Sequence, residues 1–215
     1  MEKKKQKMLC AAIVFLAAFA VWTVLVRVAD VQPIGPNGSS VGFAKLNGFV
    51  HRLVGVNMTL YTITDWLGLV PIAVALGFAV LGLTQWIKRK SLSKVDGSII
   101  ALGVFYAAVI AVYVFFEFAS VNYRPVLIEG RLEASYPSST TMLVMCVMPT
   151  AAMQFRARIK NVMLKCFAVL AIAVFVTFVV LGRIFSGVHW ISDIIGGALF
   201  SIGIVTMYGV FGKCE

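Results

Sequence analysis

Six stretches of the chain, at about 8–28, 66–87, 97–119, 138–154, 162–182 and 190–212, are apolar over nearly the length needed to cross a bilayer. A spanning helix takes roughly 20 such residues. Hydrocarbon offers the backbone no hydrogen-bond partner, so each stretch must close its bonds within itself, as a helix. The chain is therefore expected to be all-α: a polytopic membrane protein with six transmembrane helices in one bundle, a single domain over 1–215. Its 60% hydrophobic and 13% charged composition lies far from the roughly 25% charged residues of soluble domains. The fourth stretch is the shortest and most polar, opening with Ser138, Ser139, Thr140 and Thr141, as a helix start bordering a polar site would.

The basic N-terminus resembles a signal peptide, with Lys3, Lys4, Lys5 and Lys7 before an apolar run. That run is uncharged from Met8 to Val26, longer than the 7–15 residues of a signal core, so it reads as a retained first span. Thirteen of the nineteen cations fall on one side of the predicted spans: these four, Lys88, Arg89, Lys90, Lys94, Arg156, Arg158, Lys160, Lys165 and Lys213. The other side holds Arg27, Lys45, Arg52, Arg124, Arg131 and Arg183. Cation excess marks the cytoplasmic side, which places both termini inside and the connections 29–65, 120–137 and 183–189 outside. Glu2, Asp96 and Glu215 reduce the inner side to +10, the net charge of the whole chain, and six acids cancel the six outer cations. The basic excess is thus a matter of topology, and no nucleic-acid surface remains.

Within the first outer connection, Phe43, Leu46, Val50 and Leu53 repeat at helical spacing, while Lys45, Asn47, His51 and Arg52 fall elsewhere on the wheel. This predicts a short helix lying in the membrane interface after the first span, with His51 an interfacial side chain. Cys10, Cys146, Cys166 and Cys214 show no CxxC or Cys/His spacing, so neither a metal nor a disulfide framework is expected.

Three polar stretches interrupt the apolar background, and all fall on the predicted outer side: Asn122-Tyr123-Arg124-Pro125, Tyr136-Pro137-Ser138-Ser139-Thr140, and the run from Gly182 to Asp193. His189 and Asp193 are four apart at the predicted start of the sixth span, so they would share a helical face. A carboxylate on one ring nitrogen fixes the tautomer and sharpens the other as a nucleophile. Arg124 and Arg183 offer planar forks for phosphate oxygens, and Ser138 and Ser139 open a helix whose N-terminus favours an anion. Together they predict a phosphoryl-transfer site that needs no metal or other cofactor. Taken one by one, the same residues read as snorkelling anchors, a structural hydrogen bond and helix glue.

The three stretches resemble the motifs of the type 2 phosphatidic acid phosphatase (PAP2) superfamily, Lys-x6-Arg-Pro, Pro-Ser-Gly-His and Ser-Arg-x5-His-x3-Asp. The third is matched by Gly182-Arg183, five residues, His189, three residues and Asp193; the first by Arg124-Pro125; the second by Pro137-Ser138-Ser139. The motif-bearing core covers about 97–212, and six spans in this order resemble the membrane branch. The resemblance implies a lipid phosphatase with His189 as nucleophile, Asp193 orienting it, and Arg124 and Arg183 holding the phosphate. Three positions depart from the pattern: Glu117 stands where the first motif has Lys, Thr140 where the second has the His that protonates the leaving oxygen, and Gly182 where the third has Ser.

A missing acid is felt most when the leaving group is an alkoxide. A diphosphate expels a far less basic lipid phosphate, so Thr140 points toward a polyprenyl diphosphate, undecaprenyl diphosphate favoured, ahead of phosphatidic acid or phosphatidylglycerophosphate. Glu117 is an alternative acid. A catalytically degenerate lipid-phosphate-binding protein is the competing class. A flippase fits less well because no span carries a charge in its middle, and a haloperoxidase does not fit six spans. The expected partners are the bilayer and its phosphorylated lipids, and a bacterial inner membrane is the expected location.

Overall fold

The computed structural model describes residues 2–212, so Lys213, Cys214 and Glu215, like Met1, lie outside the described residues. The order of elements is α1 (Glu2–Val28), α2 (Ala44–Val54), α3 (Met58–Leu67), α4 (Leu69–Arg89), α5 (Gly97–Phe118), α6 (Ser139–Arg158), α7 (Val162–Phe185) and α8 (Ile191–Phe211). Apart from 3-10 turns at Pro36–Gly38 and Leu92–Lys94, the rest of the described chain is loop with isolated bridges. Five segments are long and apolar enough to cross a membrane by themselves: α1, α3–α4 together, α5, α7 and α8. The protein is a multi-pass membrane protein.

Helix α6, the fourth predicted span, is the polar one, and its position explains its composition. It packs against α4, α5, α7 and α8 and buries Thr140, Thr141, Cys146, Thr150 and Gln154. Cys146, Thr150, Gln154 and Arg158 recur every four residues and so form one stripe. Thr150 shares a hydrogen bond with the Tyr106 hydroxyl (3.0 Å), and the Arg158 Nε donates to Gln154 (3.0 Å) and its Nη1 to Asp96 (3.1 Å). A helix that meets protein on all sides can carry polar side chains, provided its neighbours satisfy them.

The second span differs from the predicted 66–87. Its helix begins at Met58 and is jointed at Gly68, because Pro71 has no N–H for the Leu67 carbonyl and its ring crowds that turn. The extra turns, α3, belong to what the sequence reading treated as loop.

The interfacial helix forms as α2, and the face away from its apolar stripe is the one that meets the bundle. Leu53 is 75% exposed, whereas Asn47 is fully buried. The Asn47 amide donates to Ser192 Oγ (2.9 Å) and the Gly42 carbonyl (2.7 Å), and its Oδ1 accepts from the Ser192 N–H (3.2 Å). A complete set of partners at the start of α8 outweighs the apolar stripe, which the bilayer can cover.

Helices α1 and α8 lie against each other: Trp22 donates to the Ser192 carbonyl at one end (3.0 Å), and Gly209 approaches Met8 at the other. A Cβ added at Gly203 would come within 2.9 Å of Leu16 side-chain atoms and 3.1 Å of its backbone nitrogen. Gly203→Leu is therefore expected to cost about 1–3 kcal/mol by overpacking, read as a lower melting temperature of the detergent-solubilised protein. An unchanged melting temperature would show that the α1–α8 seam can open without loss.

Candidate active site

The ends of α1, α5 and α7 and the starts of α3, α6 and α8 meet at one end of the bundle, and all three polar stretches converge there. Between α5 and α6 the chain makes a hairpin. Glu129 and Gly130 both have positive φ (49° and 76°), the requirement of a two-residue type I′ turn. Ile128 and Arg131 exchange backbone hydrogen bonds across the turn (3.0 and 2.8 Å), and the Arg124 N–H donates to the Glu133 carbonyl (3.0 Å). One arm carries Asn122 and Arg124, the other Glu133 and Ser135.

His189 lies in the connection between α7 and α8. This connection bends at Gly187, whose φ is +64° and whose backbone approaches the Gly55 carbonyl so closely that a Cβ would sit 1.8 Å from it. Arg124 Nη1 donates to His189 Nε2 at 3.1 Å, across 65 residues of sequence. This contact assigns the lone pair to Nε2 and the proton to Nδ1. Burial, and after it the charges of Arg124 and Arg183, hold the imidazole well below its usual 6.5, against a backbone contact with Ser135 that favours protonation. The ring is thus neutral, with the lone pair of Nε2 facing a guanidinium.

Asp193 is equally buried, but its expected bond to His189 is absent: Nδ1 and Oδ2 are 4.0 Å apart. Helix α8 begins at Ile191, so His189 precedes it and the two residues do not share a helical face. The carboxylate is taken up instead by Ser135 Oγ (2.6 Å), the Trp190 N–H (3.1 Å), Asn122 Nδ2 (3.2 Å) and Ser192 Oγ (3.3 Å). It fastens the hairpin to the start of α8.

A cavity of about 180 Å³ opens over this group, and its lining includes Arg124, His189, Ser139, Glu117 and Glu133. The Ser138 N–H is engaged by the Asp193 carbonyl (3.1 Å), so it does not face an anion as expected, although its buried hydroxyl has no partner among the described residues. Ser139 lines the cavity. Glu133 pairs with Arg124 Nε (3.0 Å), and the exposed Glu117 flanks the same opening. Arg183 is 1% exposed. It is held from α3, by Tyr61, Thr64 and Asp65, and by Thr140. The sequence reading missed these α3 residues; Pro71, which ends the preceding helix, was the signal available. His51, read as interfacial, packs its ring 5.4 Å from that of Trp190.

The PAP2 superfamily model matches residues 100–213, and this chain belongs to that superfamily. A crystal structure described as the first transmembrane PAP2-type phosphatidylglycerolphosphate phosphatase, from Bacillus subtilis, has the same fold. It superposes with a TM-score of 0.64 over 92% of this chain and 94% of that one, at 14% identity. In sequence, no curated protein matches the chain.

A folded-state pKa below the unfolded value means that the unfolded chain binds more protons as pH falls through 6.5. The stability His189 contributes is therefore present above 6.5 and lost as pH drops toward its folded value. The chain has two histidines, so imidazole NMR in detergent resolves them. The His189 signal is expected to titrate below 6.5 and to move upward in Arg124→Gln, which removes one cationic neighbour. A wild-type midpoint at or above 6.5 would contradict the assigned environment.

Proposed function

We propose that the protein is an integral-membrane lipid phosphatase that hydrolyses a lipid phosphate or diphosphate through a phosphohistidine, with a polyprenyl diphosphate of the undecaprenyl type as the favoured substrate. The observation that carries this reading is the Arg124–His189 contact inside a cavity at one end of a membrane bundle. A phosphoryl oxygen takes over the Arg124 donor, since a charged acceptor outcompetes a neutral imidazole. His189 Nε2 then attacks phosphorus as the bond to the leaving oxygen breaks, releasing the lipid portion. Water cleaves the phosphohistidine, giving inorganic phosphate and the free ring. Arg124 and Arg183 offset the charge on the transferring group, and Asp193 offsets that on the ring. The site opens on the outer face with both termini cytoplasmic, a reading supported by Lys88, Arg89, Arg156 and Arg158, which close the opposite end of the bundle.

The leaving group decides the substrate. A general acid is typically worth about 10²–10⁴-fold, and the position that carries the acid His in the family pattern is Thr140, whose hydroxyl accepts from Arg183 Nη2 at 2.5 Å. With no acid there, a diphosphate is the easier substrate. One observation favours a second reading: Glu117 lines the same cavity, and as a protonated carboxyl it would serve a monoester such as phosphatidic acid or phosphatidylglycerophosphate.

Phosphate release by the purified protein on a panel of these lipids tests both. The expected result is diphosphate turnover that is abolished in His189→Ala, reduced about 10²–10³-fold in Arg124→Ala, and unchanged in rate by Glu117→Gln. Thr140→His should raise monoester hydrolysis. Rapid phosphatidic acid turnover with none on diphosphates would refute the diphosphate assignment, and a rate loss in Glu117→Gln would favour the second reading. Lipid bound without any turnover would identify a degenerate binding protein.

A further inference from the structure

A guanidinium has five N–H donors in a rigid fork, and four of those on Arg183 are engaged. Nη1 donates to the Tyr61 carbonyl and the Thr64 hydroxyl, both at 3.4 Å. Nη2 donates to the Asp65 carboxylate at 3.1 Å and the Thr140 hydroxyl at 2.5 Å. The fifth donor, Nε, is buried with no acceptor among the described residues. The Tyr61 ring joins the two arginines, lying 4.8 Å from the Arg183 guanidinium and 5.8 Å from that of Arg124, both inside the range of cation–π attraction.

The same helix accounts for two departures from the family pattern. A Cβ at Gly182 would lie 2.5 Å from Thr64 Cγ2, so the Ser of the pattern would push α3 away from α7. With Gly182, α3 comes close enough for Thr64 and Asp65 to reach Arg183. With Thr140 in place of His, position 140 becomes a further acceptor for that guanidinium.

We propose that α3 is a positioning element for Arg183: Tyr61, Thr64 and Asp65, with Thr140, occupy four of its donors and leave Nε–H as the one donor still available to a substrate phosphate. This rests on the phosphatase reading. Gly182 and Thr140 then form one unit with α3 and are not signs of decay. A residue that only anchored α3 would affect folding. A positioning residue sets the affinity for a phosphoryl group.

Orthovanadate, a phosphoryl mimic, is the probe, with its dissociation constant measured directly on purified protein beside the melting temperature. Asp65→Ala is expected to weaken vanadate at least tenfold, and Asp65→Asn, which keeps an acceptor oxygen, to recover most of the loss. Gly182→Ser should weaken vanadate as well. Adding Thr64→Ser removes the clashing Cγ2 while keeping the hydroxyl, so the double variant should bind as tightly as the native protein. Wild-type affinity in Asp65→Ala, or a Gly182→Ser loss that Thr64→Ser does not repair in folded protein, overturns the proposal. Vanadate binding that follows this pattern without lipid turnover upholds it while refuting the phosphatase reading. A wild-type protein that binds no vanadate overturns both.

Discussion

Hydrocarbon cannot solvate a polar group, and the arrangement of this molecule follows from that constraint. Each unsatisfied donor or acceptor in the bilayer costs several kcal/mol, so the one polar span has to be surrounded. Helix α6 is that span, and α4, α5, α7 and α8 surround it. The phosphate-motif residues at its N-terminus are thereby placed between the ends of α5, α7 and α8, the elements that bring Arg124, Arg183 and His189. The position of the site is thus a consequence of burying α6.

The same constraint explains what could be read from the sequence. Apolar runs of spanning length and the three polar stretches each depend on local composition, and they yielded the five long apolar segments, the polar α6 that lies among them, and the convergence of the polar stretches at one end. What depended on packing was not legible. Asn47 could be placed only off the apolar stripe of its helix, because nothing local reveals that Ser192, 145 residues away, completes its bonds. The His189–Asp193 spacing suggested a shared helical face, but the helix starts two residues after His189. Asp65 and Thr64 carried no motif, and they became visible only when Pro71 was seen to joint the helix.

Arg183 shows how such packing alters the chemistry expected of a motif. Taken from its motif, it is a bidentate phosphate fork. In the fold its terminal nitrogens are spent on α3 and Thr140, so it can offer its charge and one N–H. Arg124 differs. It ion-pairs with the half-exposed Glu133, on the opposite arm of its own hairpin, and contacts His189 through Nη1. Both arginines are buried, but only Arg183 has its terminal nitrogens fully engaged, so the proposed chemistry divides between an electrostatic wall and a donor that shares its contact with the imidazole.

In the proposed chemistry the Arg124–His189 contact has a second role. Nε2 of His189 is the atom that would attack phosphorus, and it is already occupied by the Arg124 N–H. Neutral water competes poorly for that donor, whereas a phosphate oxygen carries the charge that roughly doubles a hydrogen bond's strength. Under the proposed mechanism, the arriving phosphate therefore draws Arg124 off the ring and exposes the lone pair in the same movement. The depressed basicity of His189 acts in the same direction, because burial and two neighbouring cations keep the ring unprotonated until an anion enters. Once the phosphate is bound, its negative charge offsets those cations, and the imidazolium character that develops on attack is stabilised by the substrate that triggers it and by Asp193. Under the proposed mechanism the nucleophile is thus masked by Arg124 and uncovered by its own substrate.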